Sequence, residues 1–139
     1  MIQSIKKTNM TSKDACYLLK QLTSAEILSK EHFSELIANL PDNQEIFVYT
    51  SHNRFVGMIS VFIEQKIIHG GKCVAHLEDV VVDENYRLQG IAVKLINHVI
   101  HYAESKNCYK VILNCTDEVM PLYKKCHFKH TTNGMAYYL

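Results

Sequence analysis

Hydrophobic residues recur with a helical period in two stretches near the start of the chain. Residues 14–22 carry the first pattern, and the second follows Ser29, a residue suited to cap a helix. In the second stretch the apolar positions fall at i, i+3, i+4 and i+7, and they are Phe33, Leu36, Ile37 and Leu40. The pattern therefore predicts that two helices open the chain.

Further along, the pattern changes to runs of β-branched and aromatic residues. Residues 45–50 and 55–65 are two such runs joined by a polar turn, which is typical of a hairpin. Residues 72–82 predict a long strand that ends in Val80, Val81 and Val82, and a fully apolar end indicates burial on both faces. Residues 109–115 predict another strand, and Phe128 and residues 135–139 predict closing strands.

The clearest helical stripe lies in residues 90–106. Its apolar positions are Ala92, Leu95, Ile96, Val99 and Ala103. A short helix is expected to begin near Pro121, because the first helical position needs no N–H donor. Helices and strands in this order predict an α/β (α+β) fold with a mixed sheet, formed by residues 1–139 as a single domain.

The composition narrows the classes of partner and compartment. The chain has 15 Lys and Arg against 14 Asp and Glu, a net charge of +1, so no global field would hold it on nucleic acid or on an anionic membrane. The N-terminus lacks the apolar core of a signal peptide, and no stretch has the length of a membrane span. We therefore expect a cytoplasmic protein that binds neither nucleic acid nor membrane.

Cysteine and histidine spacing does not favour a metal or a disulfide framework. The five cysteines are scattered without a Cys-x-x-Cys pair, and His98 and His101 are expected at the surface of the 90–106 helix. Cys115 and Cys126 raise the possibility of a nucleophilic cysteine, which we reject because no acid or histidine has a visible reason to activate them. No metal is predicted.

The segment after the apolar strand carries the most specific chemistry. Arg87-Leu88-Gln89-Gly90-Ile91-Ala92 opens the 90–106 helix, and such a turn presents free backbone N–H groups and a helix dipole to an anion. Gly90 allows the backbone to approach a ligand closely. Taken alone, the motif is also compatible with a plain strand-to-helix turn that requires glycine.

This loop, following a hydrophobic strand, resembles the coenzyme A loop of the GCN5-related N-acetyltransferase (GNAT) superfamily. Four other segments are similar, in the same order, to segments of glucosamine 6-phosphate N-acetyltransferases. They are Lys66-Ile67-Ile68-His69, Leu77-Glu78-Asp79-Val80-Val81-Val82, residues 108–115, and Leu122-Tyr123-Lys124-Lys125-Cys126-His127-Phe128. The resemblance covers essentially the whole chain.

The resemblance implies a central mixed, mostly antiparallel sheet flanked by helices, whose splayed central strands hold acetyl-CoA. The implied acetyl-CoA residues are Val80, Val81, Val82, Arg87, Leu88, Gln89, Gly90, Ile91, Ala92, Val93, Asn114 and Tyr123. The implied acceptor is glucosamine 6-phosphate, with direct attack of the amine in a ternary complex and a homodimeric enzyme. Transfer would feed UDP-N-acetylglucosamine biosynthesis.

The reaction needs a neutral amine, a donor for the oxyanion and a proton for the leaving thiolate. Glu78 and Asp79 lie side by side on a strand, so only one faces the reacting atoms unless the backbone is bulged, and Glu78 is favoured. The resemblance assigns both to the sugar, the Val80 N–H to the oxyanion and Tyr123 to the thiolate. The plainer alternatives are a solvated acidic pair and a core tyrosine.

The residues that the resemblance implies for the amino sugar are Thr23, Lys66, His69, Glu78, Asp79, Val80, Tyr109, Lys110 and Tyr138. Taken singly, Lys66 and Lys110 are equally compatible with ordinary solvated lysines. Three positions depart from the family pattern. Asn114 stands where many members have a carboxylate, so the catalytic set of Glu78, Asp79, Asn114 and Tyr123 leaves the general base open.

The other departures are His127 in place of a glycine and a C-terminal segment, residues 135–139, without the Arg or Lys expected to bind phosphate. The sequence therefore predicts a glucosamine 6-phosphate N-acetyltransferase. The alternatives are another amine acetyltransferase of the superfamily, acting on an unphosphorylated amino sugar, a polyamine or a protein N-terminus, and a non-catalytic acetyl-CoA-binding module.

Overall fold

The computed structural model describes residues 1–139 and contains five strands and four α-helices. The strands are β1 Ile2–Ser4, β2 Gln44–Ser51, β3 Arg54–Gln65, β4 Cys73–Val82 and β5 Cys108–Ile112. The helices are α1 Ser12–Leu19, α2 Lys30–Ala38, α3 Ile91–Ser105 and α4 Met120–Lys125. None of the helices combines the length and apolar character needed to cross a membrane.

The strands form one sheet in the order β1-β2-β3-β4-β5. Neighbours are antiparallel except for β4 and β5, which run parallel because α3 crosses over between them. A mixed, mostly antiparallel sheet flanked by helices confirms the predicted fold class. The β2–β3 hairpin and the strand predicted over residues 72–82 are also confirmed, the latter to within one residue.

The face of the sheet that packs on α3 buries the larger core. Leu95, Ile96 and Val99 of α3 are fully buried there against strand residues such as Ile59 and Leu77. Removing four or five such side chains from water supplies most of the stability of this layer, at roughly 1.5–3 kcal/mol each. The predicted apolar stripe of this helix is therefore confirmed.

The opposite face packs on α1, α2 and the N-terminal segment. Leu18 of α1 and Val48 of β2 are fully buried in this second core, and Phe33 and Ile37 of α2 pack against it while partly exposed. The Ser29 hydroxyl accepts a hydrogen bond from the His32 N–H at 3.1 Å, so the predicted cap of α2 is confirmed. Because helices cover both faces of the sheet, a ligand can reach the strands only where the sheet is not covered.

Four sequence predictions differ from the structure, and one of them is the strand predicted over residues 109–115, which ends at Ile112. A strand, β1, precedes the two opening helices and pairs with β2. The predicted closing strands are wrong, because Phe128 and residues 135–139 pair with no strand in this chain and Tyr138 is 91% exposed. His98 is half-buried rather than on the surface, with its ring 4.5 Å from that of Phe47, edge to face.

Candidate active site

The parallel strands β4 and β5 are paired only over their first residues. The register runs from Cys73 opposite Cys108 to His76 opposite Ile112, whereas β4 continues to Val82. From Leu77 onward β4 has no partner on β5, so the two strands part. The predicted splaying of strands is therefore found between β4 and β5.

At the point where the strands part, β4 carries a β-bulge. Ser60 of β3 faces Glu78, but Met58 faces Val81, so two steps along β3 oppose three along β4. Asp79 is in the left-handed region with φ of 51°, a conformation that costs a non-glycine residue about 1–2 kcal/mol. Strain of this kind is often retained at functional sites.

The bulge changes which way the following side chains point. Leu77 packs in the α3-side core before the bulge and Val82 packs in it afterwards, although five residues of regular strand would place them on opposite faces. Neither Asp79 nor Val80 has a ladder partner on β3 or β5. With this bulge, the side chains of Glu78 and Asp79 can both face one site, and the Val80 N–H is free of the hydrogen bonds between strands.

The three valines that end β4 divide between core and opening. Val81 and Val82 are buried, whereas Val80 is only partly buried. The expectation of burial on both faces therefore holds for two of the three. The partly exposed Val80 is the one that adjoins the two carboxylates, Glu78 and Asp79, both of which are exposed.

The loop from β4 to α3 presents its backbone toward solvent. The first α-helical hydrogen bond of α3 runs from the Lys94 N–H to the Gly90 carbonyl at 3.0 Å, so the N–H groups of Ile91, Ala92 and Val93 lack an acceptor within the helix. Gly90 has φ of 75° and no side-chain cap covers the helix end. Leu88 is also in the left-handed region and is fully exposed.

Two side chains anchor this loop to the sheet. The Asp83 carboxylate is buried and accepts hydrogen bonds from both the N–H and the side-chain amide of Asn85, at 3.0 and 3.1 Å. Arg87 Nε donates to the Val82 carbonyl at 3.1 Å. Arg87 and Gln89 are exposed beside the helix N-terminus. A helix N-terminus with free donors, a favourable dipole and an adjacent guanidinium suits a pyrophosphate.

The segment after α1 reaches the same loop. The Gln21 side-chain carbonyl accepts a hydrogen bond from the Glu84 N–H at 2.8 Å. Thr23 follows two residues later and is exposed. The structure therefore brings the segment that carries Thr23 to the loop that follows the C-terminal end of β4.

Tyr123 of α4 lies in the core, 8% exposed, with its ring in an edge-to-face contact with Phe128. Burial raises its pKa to about 12, with smaller contributions from Cys115, Cys126 and Glu78. The phenol therefore keeps its proton at neutral pH and lies within electrostatic reach of Glu78. Burial also raises the pKa of the Cys126 thiol, which disfavours a thiolate nucleophile there.

Asn114 follows β5 and is exposed, with the C-terminal segment passing close to its side chain. A Cβ placed on Gly134 would lie 3.0 Å from Asn114 Oδ1. Beyond Gly134 the chain has no regular secondary structure, and Tyr138 is 91% exposed. Tyr138 is therefore not brought to this site within one chain.

A second group of predicted residues gathers where β4 and β5 begin. The ring centroids of His69 and Tyr109 are 4.3 Å apart, and Lys110 Nζ lies 5.5 Å from the Tyr109 ring centroid. Lys66 Nζ donates to Glu64 Oε1 at 2.9 Å. This bond raises the pKa of Lys66, with a further contribution from Tyr109. Four of the predicted sugar-binding residues therefore share one region.

Two residues of this region, Glu64 and His76, are absent from the sequence predictions. Glu64 Oε2 lies 2.7 Å from His76 Nε2, and hydrogen bonds from Lys66 and then His76 lower the pKa of Glu64. Part of the signal was present in the strand period, because Glu64 is two residues from Lys66 and His76 is two residues from Glu78, but the period does not reveal the contact between the strands. We call the group of Lys66, His69, Tyr109 and Lys110 the lysine region. By the same period His76 and Glu78 lie about 7 Å apart on one face, so His76 links the lysine region to the bulge.

Comparison with known proteins agrees with this geometry. The model of the acetyltransferase (GNAT) family matches residues 13–128. A glucosamine 6-phosphate N-acetyltransferase of Trypanosoma brucei brucei is 37% identical over an alignment of 119 positions, which covers 81% of this chain and 78% of the relative. One from Candida albicans is 34% identical over an alignment of 134 positions, which covers 91% of this chain and 89% of the relative.

The structural comparison extends to the whole chain. The crystal structure of glucosamine-6-phosphate N-acetyltransferase from Arabidopsis thaliana superposes with a TM-score of 0.84 and 28% identity, covering 99% of this chain and 97% of that one. Sequence and structure thus agree over nearly the same residues. The chain belongs to the acetyltransferase (GNAT) family and, within it, to the family of the glucosamine 6-phosphate N-acetyltransferases.

Proposed function

We propose that the chain transfers the acetyl group of acetyl-CoA to the 2-amino group of D-glucosamine 6-phosphate. The amine attacks the thioester directly in a ternary complex, and residues 1–139 act as a single catalytic domain. The product would feed UDP-N-acetylglucosamine biosynthesis in the cytoplasm. The relatives that carry this activity in their names match most of the chain, and the residues described below supply each chemical requirement.

The observation that carries the proposal is the bulge at Asp79, located where β4 leaves β5. It places two exposed carboxylates, Glu78 and Asp79, and the unpaired backbone of Val80 at one point. A tetrahedral intermediate needs a donor at its oxygen and an acceptor for the amine protons. Val80 N–H supplies the first role, and Glu78 or Asp79 supplies the second.

Acetyl-CoA fits the loop that opens α3. Its pyrophosphate would be bound by the free N–H groups of Ile91, Ala92 and Val93 and of the preceding loop, with Arg87 nearby. Gly90 and Leu88 keep the left-handed backbone that turns these groups outward. Bound in this way, acetyl-CoA would supply the activated acetyl group, and Val80, which has no ladder partner on β3 or β5, would adjoin its thioester.

Tyr123 is the candidate proton donor for the leaving thiolate. Its raised pKa keeps the phenol protonated at neutral pH, so the proton is available when the thiolate departs. Asn114 has an amide in place of a carboxylate and cannot accept a proton there. The base is therefore assigned to Glu78 or Asp79, directly or through water, and Asn114 is left a hydrogen-bonding role toward acetyl-CoA.

The phosphate of the sugar is assigned to the lysine region. Lys66 and Lys110 supply charge, and His69 and Tyr109 supply further donors and a ring surface. Thr23 lies toward the other end of β4, beyond the reach of that phosphate, and its hydroxyl is assigned to the amino sugar instead. The lysine region accounts for a phosphate preference even though residues 135–139 contain no Arg or Lys.

The test is a comparison of kcat/KM for acetyl-CoA-dependent acetylation of glucosamine 6-phosphate, glucosamine and a panel of other amines. Preference for the phosphosugar by roughly a hundredfold is expected from a few charge-assisted contacts. Equal values for the two sugars would remove the assigned phosphate site and retain the acetyltransferase. Turnover of other amines alone would remove the amino-sugar assignment as well.

One observation favours a second candidate, an amine acetyltransferase for an unphosphorylated acceptor such as an amino sugar, a polyamine or a protein N-terminus. The C-terminal residues are uncharged, and Met135, Tyr137 and Tyr138 are at least 90% exposed, so they bring no cation to the site. The kcat/KM comparison above separates this candidate from the first, because only the phosphosugar needs the lysine region.

A homodimer completes the proposal. The outer edge of β5 is an unpaired sheet edge, and the adjacent C-terminal residues are apolar and exposed. Pairing of the C-terminal segment of one copy with the β5 edge of the other would cover both surfaces. It would also bring Tyr138 of each copy to the active site of its partner. Sedimentation of the full chain is expected to give twice the monomer mass, and a chain shortened before Met135 is expected to sediment as a monomer.

A further inference from the structure

The thiols of Cys73 and Cys108 are placed as a pair at the start of β4 and β5. We propose that these two cysteines form a reversible disulfide with each other, by exchange with small-molecule disulfides such as oxidised glutathione. We further propose that this bond loosens residues 66–72, the loop between β3 and β4. The pair lies beside, and not among, the residues assigned to acetyl-CoA and the amino sugar. The proposal does not depend on the identity of the acceptor.

Geometry allows the bond. Cys73 and Cys108 are register partners on neighbouring strands, and strands lie about 4.8 Å apart, within the Cα separations found in disulfides. Both side chains pack against the α3-side core, so they point to the same face of the sheet. The register shifts directly after Cys73, which gives the strand ends freedom to close the remaining gap.

Such a bond would be strained. Directly opposite residues on parallel strands hold their Cβ atoms somewhat further apart than the roughly 3.8 Å of a relaxed disulfide. Strained disulfides are reduced more readily than structural ones, and they are typically labile or regulatory. We therefore expect a disulfide that forms under oxidising conditions and is reduced again by thiols.

The exchange takes place in two steps. The Cys73 thiolate attacks the small-molecule disulfide, a mixed disulfide forms and one small thiolate leaves. The Cys108 thiolate then attacks the Cys73 sulfur, and the second small thiolate leaves. The protein loses two thiol protons and gains one S–S bond, while the small disulfide is reduced to two thiols. Burial and the neighbouring Cys73 raise the pKa of the Cys108 thiol, which lowers its thiolate fraction, so the second step depends on the closeness of the two register partners.

The thiol of Cys73 is connected to the loop through Gln65. Cys73 Sγ donates to Gln65 Oε1 at 3.4 Å, and Gln65 Nε2 donates to the carbonyls of Lys66 and Gly71. The Gln65 amide therefore bridges the two ends of the loop of residues 66–72, which contains Lys66 and His69. Oxidation removes the S–H donor and redirects the sulfur toward β5, which leaves Gln65 without the bond that orients it.

The test incubates the reduced full chain with mixtures of reduced and oxidised glutathione, alkylates the remaining thiols and maps peptides by mass spectrometry. A cross-linked peptide pair that has lost both thiol hydrogens is expected to accumulate as the oxidised share rises, and reduced glutathione should reverse it. Cys73→Ser and Cys108→Ser should each abolish the link. Cys115→Ser, at an exposed cysteine after β5, is the matched control and should retain it.

Hydrogen exchange measures the second half of the proposal. Peptides covering residues 66–72 should exchange several-fold faster in the oxidised chain than in the reduced chain. Recovery of Cys73 and Cys108 as alkylated thiols across the whole range, or as mixed disulfides only, would overturn the pairing. A link that forms without faster exchange in this loop would overturn the coupling through Gln65.

Discussion

Glu64 Oε1 accepts a hydrogen bond of 2.9 Å from Lys66 Nζ, while Glu64 Oε2 lies 2.7 Å from His76 Nε2. The carboxylate thus joins the end of β3 to the face of β4. The bonds from Lys66 and His76 lower the pKa of Glu64, and the bond to Glu64 raises the pKa of Lys66. Both partners therefore stay charged across neutral pH, and the ion pair fixes the Lys66 ammonium group beside Glu64.

If Glu64 orients Lys66 toward the sugar phosphate, Glu64→Gln should weaken phosphosugar binding. The amide keeps an acceptor oxygen but loses the charge that holds the ammonium group. The KM for glucosamine 6-phosphate is expected to rise about twofold to fivefold, the range of an exposed ion pair, with a smaller effect for glucosamine. Steady-state kinetics with both sugars measure the difference.

Glu35→Gln is the control for this change, because Glu35 is exposed on α2 and makes no ion pair. It should leave both KM values unchanged. A fall in the KM for glucosamine 6-phosphate in Glu64→Gln would contradict the orienting role, since it would mean that Glu64 competes with the phosphate for Lys66.

A second prediction concerns the backbone of Gly90. A Cβ there would meet no atom within 4 Å, so Gly90→Ala introduces no clash, and its effect comes from φ of 75° alone. The left-handed conformation costs alanine about 1–2 kcal/mol, so either the unfolding free energy falls by that amount or the loop changes conformation. Acetyl-CoA binding should weaken, as measured by calorimetry.

Gly70→Ala provides the matched comparison. Gly70 has φ of 66° and equally open surroundings, but it lies between β3 and β4. The two variants should lose similar unfolding free energy in denaturant titrations, and only Gly90→Ala should lose affinity for acetyl-CoA. Equal affinity losses would remove the loop before α3 as the pyrophosphate site.

The comparison of sequence and structure shows which features depend on local pattern. The helix predicted over 90–106 is confirmed to within one residue. The spacing of Leu95, Ile96 and Val99 along the sequence is enough to place them on one buried stripe of a helix. The hairpin likewise depends on neighbouring residues. The predicted closing strand at 135–139 failed because a strand needs a partner, and an apolar run does not specify which edge or which chain supplies it.

The site divides in the same way. The loop from Arg87 to Ala92 was found from its motif, since free N–H groups follow from the start of any helix. The bulge at Asp79 was recognised only as a possibility, because no glycine marks the left-handed residue. Glu64 was missed because its role arises from contacts with His76 across strands, which alternation alone does not pair.

The contact between His98 and Phe47 leads to a third prediction. Burial, with a smaller contribution from His101, lowers the pKa of His98 in the folded state. The unfolded chain then binds the proton more readily than the folded chain as pH falls through about 6.5. The unfolding free energy should therefore decrease as pH falls below about 6.5, the pKa of an unfolded histidine.

His98→Phe keeps an aromatic ring beside Phe47 and removes the titrating group. Denaturant titrations between pH 7 and pH 5, roughly the span around the ordinary histidine pKa, should show a smaller loss for the variant than for the native chain. Parallel pH profiles for the two proteins would show that His98 is not the group responsible.

The last prediction concerns Tyr123. If its phenol protonates the leaving thiolate, Tyr123→Phe should lower kcat/KM by about a hundredfold or more, the usual range for a general acid, while the Kd for acetyl-CoA changes little. Phenylalanine fills the same space and keeps the edge contact with Phe128, so the fold should persist. A kcat/KM within about threefold of the native value would show that Tyr123 is only a core residue.

The same variant has a consequence in alkali that does not require substrate. Burial raises the folded-state pKa of Tyr123 to about 12, whereas an unfolded tyrosine titrates near 10. The unfolded chain therefore loses its proton first, and the stabilisation present below about pH 10 is lost as pH rises toward 12, by at most ~1.4 kcal/mol per pH unit. The unfolding free energy of Tyr123→Phe should fall less steeply over this range, and equal slopes would show that the phenol is not shielded from solvent.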